Sequence, residues 1–183
     1  MRVISGTAKS LRLKTIEGDS TRPTTDRIKE TLFNIIGCDV IDSRFLDLFA
    51  GSGGIGIEAL SRGALFCDFV DNNPKCINVI KENLRFTHLD NKAQVIKNDV
   101  ISYIKGYSNK SYDIIFIDPP YRAGFEADVL NNLYHSELCN ENTIVILEAL
   151  KEFDEESVLS CGFRVDKVKV YGTNKHVFMK CDM

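Results

Sequence analysis

Residues 47–56 decide the fold of this chain: Asp47-Leu48-Phe49-Ala50-Gly51-Ser52-Gly53-Gly54-Ile55-Gly56. The segment ends an apolar run that predicts a strand, and it leads into a run that predicts a helix. Its pattern Gly51-x-Gly53-x-x-Gly56 is the dinucleotide-binding fingerprint, a tight turn that lets a ligand approach the backbone. Asp71 follows Gly51 by twenty residues, at the predicted end of the next strand, where an acid typically binds ribose hydroxyls.

Strands and helices alternate on either side of this segment. The predicted strands of the core are Phe45–Phe49, Phe66–Val70, Ala93–Lys97, Tyr112–Ile117 and Thr143–Leu147. The predicted helices are Thr25–Ile36, Gly54–Arg62, Pro74–Thr87, Val100–Lys105 and Phe125–Leu138. This alternation predicts an α/β fold, a mostly parallel sheet with helices on both faces.

The two ends of the chain differ from this core. Phe163–Val170 and Lys175–Lys180 flank a short turn and predict a C-terminal antiparallel hairpin. Arg2–Ser5 and Leu11–Lys14 predict a short N-terminal β-hairpin before the first helix. We expect one domain over residues 1–183, made of an extension (1–38) and a core (39–183), because this length fits a single domain.

Composition and charge exclude several classes of protein. No apolar run approaches the length of a membrane span, and the N-terminus has no apolar signal region. The six cysteines are scattered and are not spaced with the histidines as metal ligands, so we expect free thiols in a reducing cytoplasm and no metal.

The charge is unevenly distributed. The net charge of −3 argues against a generic nucleic-acid binder, but residues 1–22 hold five cationic side chains and two acidic ones. This basic arm is either a solvated hairpin or an edge that contacts phosphates, and charge alone does not separate the two.

Asp118-Pro119-Pro120-Tyr121 follows the buried run Ile114–Ile117 and is the second informative motif. Two successive prolines fix the backbone and leave its carbonyl groups free to accept hydrogen bonds. An acid, a carbonyl and an aromatic ring in one rigid loop suit a planar group with an exocyclic NH₂, which donates two hydrogen bonds and stacks. The alternative is an ordinary proline-rich turn.

The carboxyl ends of the strands in a doubly wound sheet share one crevice. Here that crevice would collect acids and glycines: Asp47, Gly51, Gly53, Asp71, Asp99 and Asp118. A carboxylate in the approach to the glycine loop repels a pyrophosphate, which disfavours a nicotinamide oxidoreductase. S-adenosylmethionine has an amino group, a ribose diol and an adenine amine but no phosphate, so it fits. The alternatives are a turn residue for Asp71 and a helix N-cap for Asp99.

With these motifs the chain resembles the class I, S-adenosylmethionine-dependent methyltransferases, and more narrowly the RsmD type of 16S rRNA guanine-N2 methyltransferases. The segments that carry the resemblance are Arg2–Gly6, Arg22–Asn34, Asp47–Gly56, Glu58–Ala64 and Asp118–Tyr121. It implies a seven-stranded Rossmann-like sheet with a reversed last strand. The chain departs from the family at Asp71, where Glu is usual, at Asn73, where Asp is frequent, and after Gly6, where an aromatic residue and a Gly-Arg pair are usual.

The motifs and the resemblance together give three expected sets of site residues. The catalytic set is Asp118, Pro119, Pro120 and Tyr121. The set for S-adenosylmethionine is Asp47, Phe49, Gly51, Gly53, Asp71, Asn72, Asp99 and Asp118. The set for the RNA substrate is Arg2, Lys9, Arg12, Arg22, Pro23, Thr24 and Tyr121.

The expected partner is 16S rRNA, within the small ribosomal subunit or an assembly intermediate, and we expect a monomer. Three rival functions stay open. The same chemistry could act on tRNA, on adenine N6 of DNA or on a protein glutamine. The chain could also be a nicotinamide oxidoreductase or a catalytically silent RNA-binding module.

Overall fold

The structure, a computed structural model, describes residues 1–16, 26–106, 111–120 and 125–182. Its strands are β1 (Arg44–Leu48), β2 (Phe66–Asp71), β3 (Ala93–Lys97), β4 (Ile114–Ile117), β5 (Ile144–Leu150), β6 (Phe163–Tyr171) and β7 (Asn174–Cys181). Its α-helices are α1 (Asp26–Ile36), α2 (Gly54–Ser61), α3 (Pro74–Thr87), α4 (Val100–Gly106), α5 (Phe125–Tyr134) and α6 (Glu156–Ser160). Short 3₁₀ turns occupy Gly37–Val40 and Asp90–Lys92.

The described strands form a seven-stranded sheet in the order β3-β2-β1-β4-β5-β7-β6. β2 pairs in parallel with β1 and β3, and β4 pairs in parallel with β5. β7 runs antiparallel to β5 and β6. A mostly parallel sheet with an antiparallel C-terminal hairpin confirms the predicted α/β class. The Cα positions group into two compact units, Met1–Asn98 and Asp99–Met183, and the expectation of one domain stays a prediction.

In the first unit, α2 packs directly on β2 because Gly56 has no side chain. A Cβ atom at Gly56 would lie 2.3 Å from a ring carbon of Phe69 and 2.7 Å from Cys67 Sγ. This is the role that the third glycine of such a motif has in helix–strand packing. The contact fixes where the N-terminus of α2 meets the end of β1.

In the second unit, β4 is buried along its whole length. β5 and β7 are buried at nearly every position, whereas most of β6 is exposed. In the C-terminal hairpin, the mostly buried strand β7 therefore lies against β5, and the exposed strand β6 forms the edge of the sheet.

The N-terminal hairpin is smaller than predicted, with one antiparallel bridge between Arg2 and Arg12 in place of two strands. The reason lies in the backbone donors. The N–H groups of Ile4 and Ser5 donate to Glu58 of α2 at 2.8 and 3.0 Å, so they are not available to a strand ladder. Gly6 has φ +83°, and a Cβ there would lie 1.7 Å from the carbonyl oxygen of Ser61, so only glycine fits this contact.

Several element boundaries also differ from the predictions, and the largest difference is in α5. α5 ends at Tyr134 and not at Leu138, because Ser136 makes a local turn in which its hydroxyl donates to Leu133 O and accepts from Leu138 N. β4 begins at Ile114 and not at Tyr112. The short helix α6 was not predicted, since five residues are too few to display a helical period.

None of the helices that the structure describes has the length and apolar content needed to cross a bilayer. All six cysteines are free thiols, and Cys181 Sγ lies 3.1 Å from Cys139 Sγ. Within the described residues, no group of three or more His, Cys, Asp or Glu side chains could hold a metal ion.

Replacement of Gly56 by alanine should destabilise the protein, because the added methyl group overlaps Phe69 and Cys67. We expect the free energy of unfolding to fall by about 1–3 kcal/mol, as for overpacked cores. Gly106→Ala is the matched control, since nothing lies within 4 Å of a Cβ at this other helical glycine. Urea unfolding measures the stability of both variants and of the wild type. If Gly56→Ala were as stable as the wild type, Gly56 would not have this packing role.

Candidate active site

The loop after β1 has an unusual backbone. Phe49, Gly51 and Gly53 have φ angles of +62°, +56° and +79°. Glycine adopts this left-handed region at little cost, but a bulky residue such as Phe49 is strained in it. Strain of this kind concentrates at functional sites, which agrees with the prediction that the loop holds a ligand. Gly53 is further restricted, because a Cβ there would lie 3.2 Å from Ile80.

Asp71 ends β2 and fixes this loop. Its Oδ2 accepts from the N–H of Gly51 at 2.9 Å, and its Oδ1 accepts from the N–H of Asn73 at 2.8 Å. Asn73 in turn caps α3, accepting from the N–H of Lys75 at 2.9 Å. Each carboxylate oxygen has a second lone pair, so Asp71 retains the capacity to accept a ribose hydroxyl. The neighbouring Asn72 is exposed.

Asp47 in β1 is almost fully buried, with 2% of its surface exposed. Its Oδ2 accepts from the N–H of Gly56 in the first turn of α2 at 2.9 Å. Burial raises the pKa of Asp47 to about 8, and the charge of Asp71 adds to this, while the hydrogen bond from Gly56 opposes it. A buried carboxyl group with a raised pKa is stabilised as an anion by a nearby cation. Its predicted role toward the amino group of S-adenosylmethionine stays a prediction.

Asp118 stands in the second unit, directly after the buried strand β4. Its side chain is half-buried, Pro119 is buried and Pro120 is exposed. The remaining predicted residues of this part of the site, Tyr121, Arg22, Pro23 and Thr24, lie outside the described residues.

Asp99 immediately precedes α4, and its Oδ1 accepts from the N–H of Ser102 at 2.9 Å. This is the N-cap that the sequence left open as an alternative. The Asp99 side chain is exposed, and its predicted contact with the adenine amine stays a prediction.

A buried pair that the sequence did not reveal joins β5 and β7 in the second unit. The register pairs Ile117, the residue before Asp118, with Leu147, the residue before Glu148. Glu148 is paired with His176, whose Nε2 lies 3.2 Å from Glu148 Oε2. Asn174 Nδ2 donates to the other oxygen of Glu148 at 3.0 Å.

The Glu148 carboxyl group is charged despite its burial. Burial alone would raise the pKa of Glu148, but the hydrogen bond and charge of His176, together with Asn174, hold it below its ordinary value. Two polar atoms of the same cluster, His176 Nδ1 and Tyr171 Oη, are buried and have no hydrogen-bond partner among the described residues. No sequence pattern signals this pair, because only the strand register brings the two residues together.

The predicted RNA-binding cations of the N-terminal hairpin differ in their contacts. Arg2 Nε forms an ion pair with Asp26 Oδ2 at 2.8 Å, whereas the side chains of Lys9 and Arg12 are exposed. The hairpin is held rigidly, because the Nζ of the buried Lys29 donates to the Arg2 carbonyl at 2.6 Å.

Residues 1–180 match the model of a protein family described as Conserved hypothetical protein 95. The chain belongs to this family. YlbH of Bacillus subtilis is 42% identical over 156 residues, which cover 84% of this chain and 85% of that protein. Ribosomal RNA small subunit methyltransferase D of Buchnera aphidicola is 36% identical over 150 residues, which cover 82% of this chain and 78% of that protein.

A solved structure extends the family match to the whole fold. The yhhF protein of Escherichia coli superposes with a TM-score of 0.87 at 28% identity, covering 100% of this chain and 98% of that one. The family match confirms the resemblance that the sequence motifs carry. It favours methyl transfer over the nicotinamide alternative for the ligand of the glycine loop.

Replacement of Asp47 by asparagine should change how stability depends on pH. The pKa of Asp47 is about 8 in the folded state and near 4 when unfolded, so the folded state holds the proton over this window. The resulting stabilisation is present at low pH and is lost as the pH rises toward 8, with a slope of at most about 1.4 kcal/mol per pH unit. Asp47→Asn removes this slope while retaining an acceptor for Gly56.

Urea unfolding at pH 5, 6, 7 and 8 measures the difference between the variant and the wild type. We expect Asp47→Asn to gain stability relative to the wild type as the pH rises. Asp90→Asn, at an exposed position, should follow the wild type throughout. Parallel curves for Asp47→Asn and the wild type would contradict the raised pKa.

Proposed function

We propose that this protein transfers a methyl group from S-adenosylmethionine to the exocyclic N2 amino group of a guanine in 16S rRNA. The observation that carries the proposal is the match of nearly the whole chain to a family with a relative named ribosomal RNA small subunit methyltransferase D. The Asp118-Pro119-Pro120 sequence at the end of β4 supplies the chemistry that such a reaction needs.

The residues of the glycine loop fit S-adenosylmethionine. The loop from Ala50 to Gly56 contains only small or apolar side chains, so a ligand can approach its backbone closely. It is flanked by two acids. A positively charged ligand would lower the raised pKa of the buried Asp47, and the oxygens of Asp71 can accept hydrogen bonds from hydroxyl groups. When bound, S-adenosylmethionine supplies an electrophilic methyl group on a sulfonium centre.

The Asp118 loop would hold and activate the target amine. Guanine N2 is a weak nucleophile, because its lone pair is delocalised into the ring. Asp118 and the Pro119 carbonyl accept hydrogen bonds from the two N–H groups of this amine. These bonds favour a tetrahedral nitrogen and stabilise the positive charge that develops on it. Tyr121 stacks on the base. The negative charge of Glu148 would stabilise the same developing charge, since Leu147 just before it pairs with Ile117 just before Asp118.

The target is an unpaired guanine, because a base within a helix must be splayed out before its amino group can enter such a pocket. The net charge of −3 disfavours tight binding of naked RNA, so the preferred substrate is the small ribosomal subunit or an assembly intermediate. We propose further that the enzyme acts as a monomer in the cytoplasm, with Arg2, Lys9, Arg12 and Arg22 toward the RNA.

Asp118→Ala should lose nearly all turnover, because the amine loses its charged acceptor. Binding of S-adenosylhomocysteine, measured by thermal shift, should stay within a few-fold of the wild type. Asp113→Ala is the matched control, since Asp113 is exposed at the other end of β4 and should leave turnover unchanged. Normal turnover of Asp118→Ala would overturn the mechanism.

The substrate is tested by transfer of labelled methyl to small ribosomal subunits that lack their methylations, with naked 16S rRNA, tRNA and DNA alongside. We expect label on the RNA of the subunits, at guanine N2, and its loss in Asp118→Ala. Label on tRNA or DNA alone would change the substrate and keep the chemistry. Label on none of the four would refute the rRNA proposal and direct the search to protein or small-molecule amines.

A further inference from the structure

A groove of about 440 Å³ lies in the first unit, between the N-terminal hairpin and the C-terminal half of α3. Its volume is within the range of sites that hold small organic ligands. The lining residues are Arg12, Lys14, Glu82, Asn83, Arg85 and Phe86. Among them only Arg12 was expected from the sequence to contact a substrate.

The floor of the groove is held in place by Asn83, which is 1% exposed. Its Oδ1 accepts from the N–H of Lys14 at 2.8 Å, and its Nδ2 donates to the Lys14 carbonyl at 3.0 Å. The same Nδ2 donates to the Ser52 carbonyl of the glycine loop at 3.0 Å. The hairpin and α3 are therefore joined by paired hydrogen bonds, so the groove exists before any ligand binds.

The groove is positive on a chain whose net charge is −3. Three cationic side chains face one carboxylate, and that carboxylate, Glu82, pairs with Lys14 Nζ at 2.6 Å. The bond from Lys14 lowers the pKa of Glu82, so this pair neutralises itself at neutral pH. Arg12 and Arg85 form no ion pair with another described residue, and their charges are available to an anion.

Phe86 adds an exposed aromatic ring beside these charges. It is 53% exposed, an unusually high value for a phenylalanine on a helix whose other face is buried. An aromatic ring next to guanidinium groups is the combination that binds single-stranded nucleic acid, in which bases stack on the ring and phosphates pair with the cations. Protein interfaces are instead depleted of lysine and glutamate, and both line this groove as Lys14 and Glu82.

We propose that this groove binds an unpaired nucleotide of the RNA, with the base on Phe86 and the flanking phosphates on Arg12 and Arg85. The proposal rests on the proposed function only in taking RNA as the substrate. It makes the groove a second RNA contact, separate from the residues that hold the reacting amine. Such a contact offsets the acidic character of the rest of the chain.

Binding of a fluorescent single-stranded RNA oligonucleotide, followed by anisotropy, tests the groove without methyl transfer. Phe86→Ala should weaken binding about five-fold or more, whereas Phe86→Tyr, which keeps the ring, should bind as the wild type does. Arg85→Gln should weaken binding and lower the slope of log affinity against log salt by about 0.7. Lys81→Gln, an exposed cation of α3 that does not line the groove, should change neither.

The steady-state kinetics of methyl transfer to small subunits give the second readout. Phe86→Ala and Arg85→Gln should raise KM and leave kcat unchanged. Unchanged oligonucleotide binding in both variants overturns the proposal. If Phe86→Ala raises KM for assembled subunits while its oligonucleotide binding is unchanged, the groove contacts a protein and the proposal is also overturned. If the wild type methylates no RNA, the proposed function fails while the oligonucleotide measurement still decides the groove.

Discussion

The fully buried carboxylate of Glu58 holds the N-terminal part of this protein together. It accepts from the N–H groups of Ile4 and Ser5, and it forms ion pairs with Lys29 at 3.3 Å and Arg62 at 2.7 Å. A buried charge is costly unless it is paired and hydrogen-bonded, and removal of one partner leaves an uncompensated charge. The hairpin, α1 and α2 therefore cannot separate without exposing this carboxylate to solvent or leaving it buried without a partner. The extension is thus an integral part of the first unit.

That constraint has a functional consequence for the hairpin. A solvated basic segment would lose conformational entropy on binding RNA, whereas residues 1–16 here are already hydrogen-bonded to Glu58, Ser61 and Asn83. Its exposed cations are presented on a fixed surface, and most of the ordering cost is met during folding. The same logic applies to the glycine loop, whose strained backbone is held by Asp71 before a ligand arrives.

The sequence predicted those parts of the structure in which local pattern and tertiary packing agree. α3 and β3 have the predicted boundaries; α3 begins at Pro74 and has a clear helical apolar period. The polar contacts were missed for a common reason. Charged residues such as Glu58 and Lys29 are usually exposed, and the pairing of Glu58 with Ile4 and Ser5 joins segments more than fifty residues apart. The Glu148–His176 pair likewise depends on strand register, which a single sequence does not specify.

The acids of the candidate site bind the backbone of the protein itself. From the sequence, Asp47, Asp71 and Asp99 were assigned to a ligand, yet each accepts a backbone N–H in the folded chain. The two roles are compatible for Asp71, because its oxygens keep free lone pairs beside a loop that it shapes itself. For the exposed Asp99 the N-cap bond is by itself sufficient to explain the residue. Asp47 differs from both, since a nearly inaccessible acid with a raised pKa is an unfavourable element of the free protein that gains from a nearby positive charge. The glycine loop is thus a backbone loop whose shape Asp71 fixes, and the ligand contacts of the three acids stay predictions.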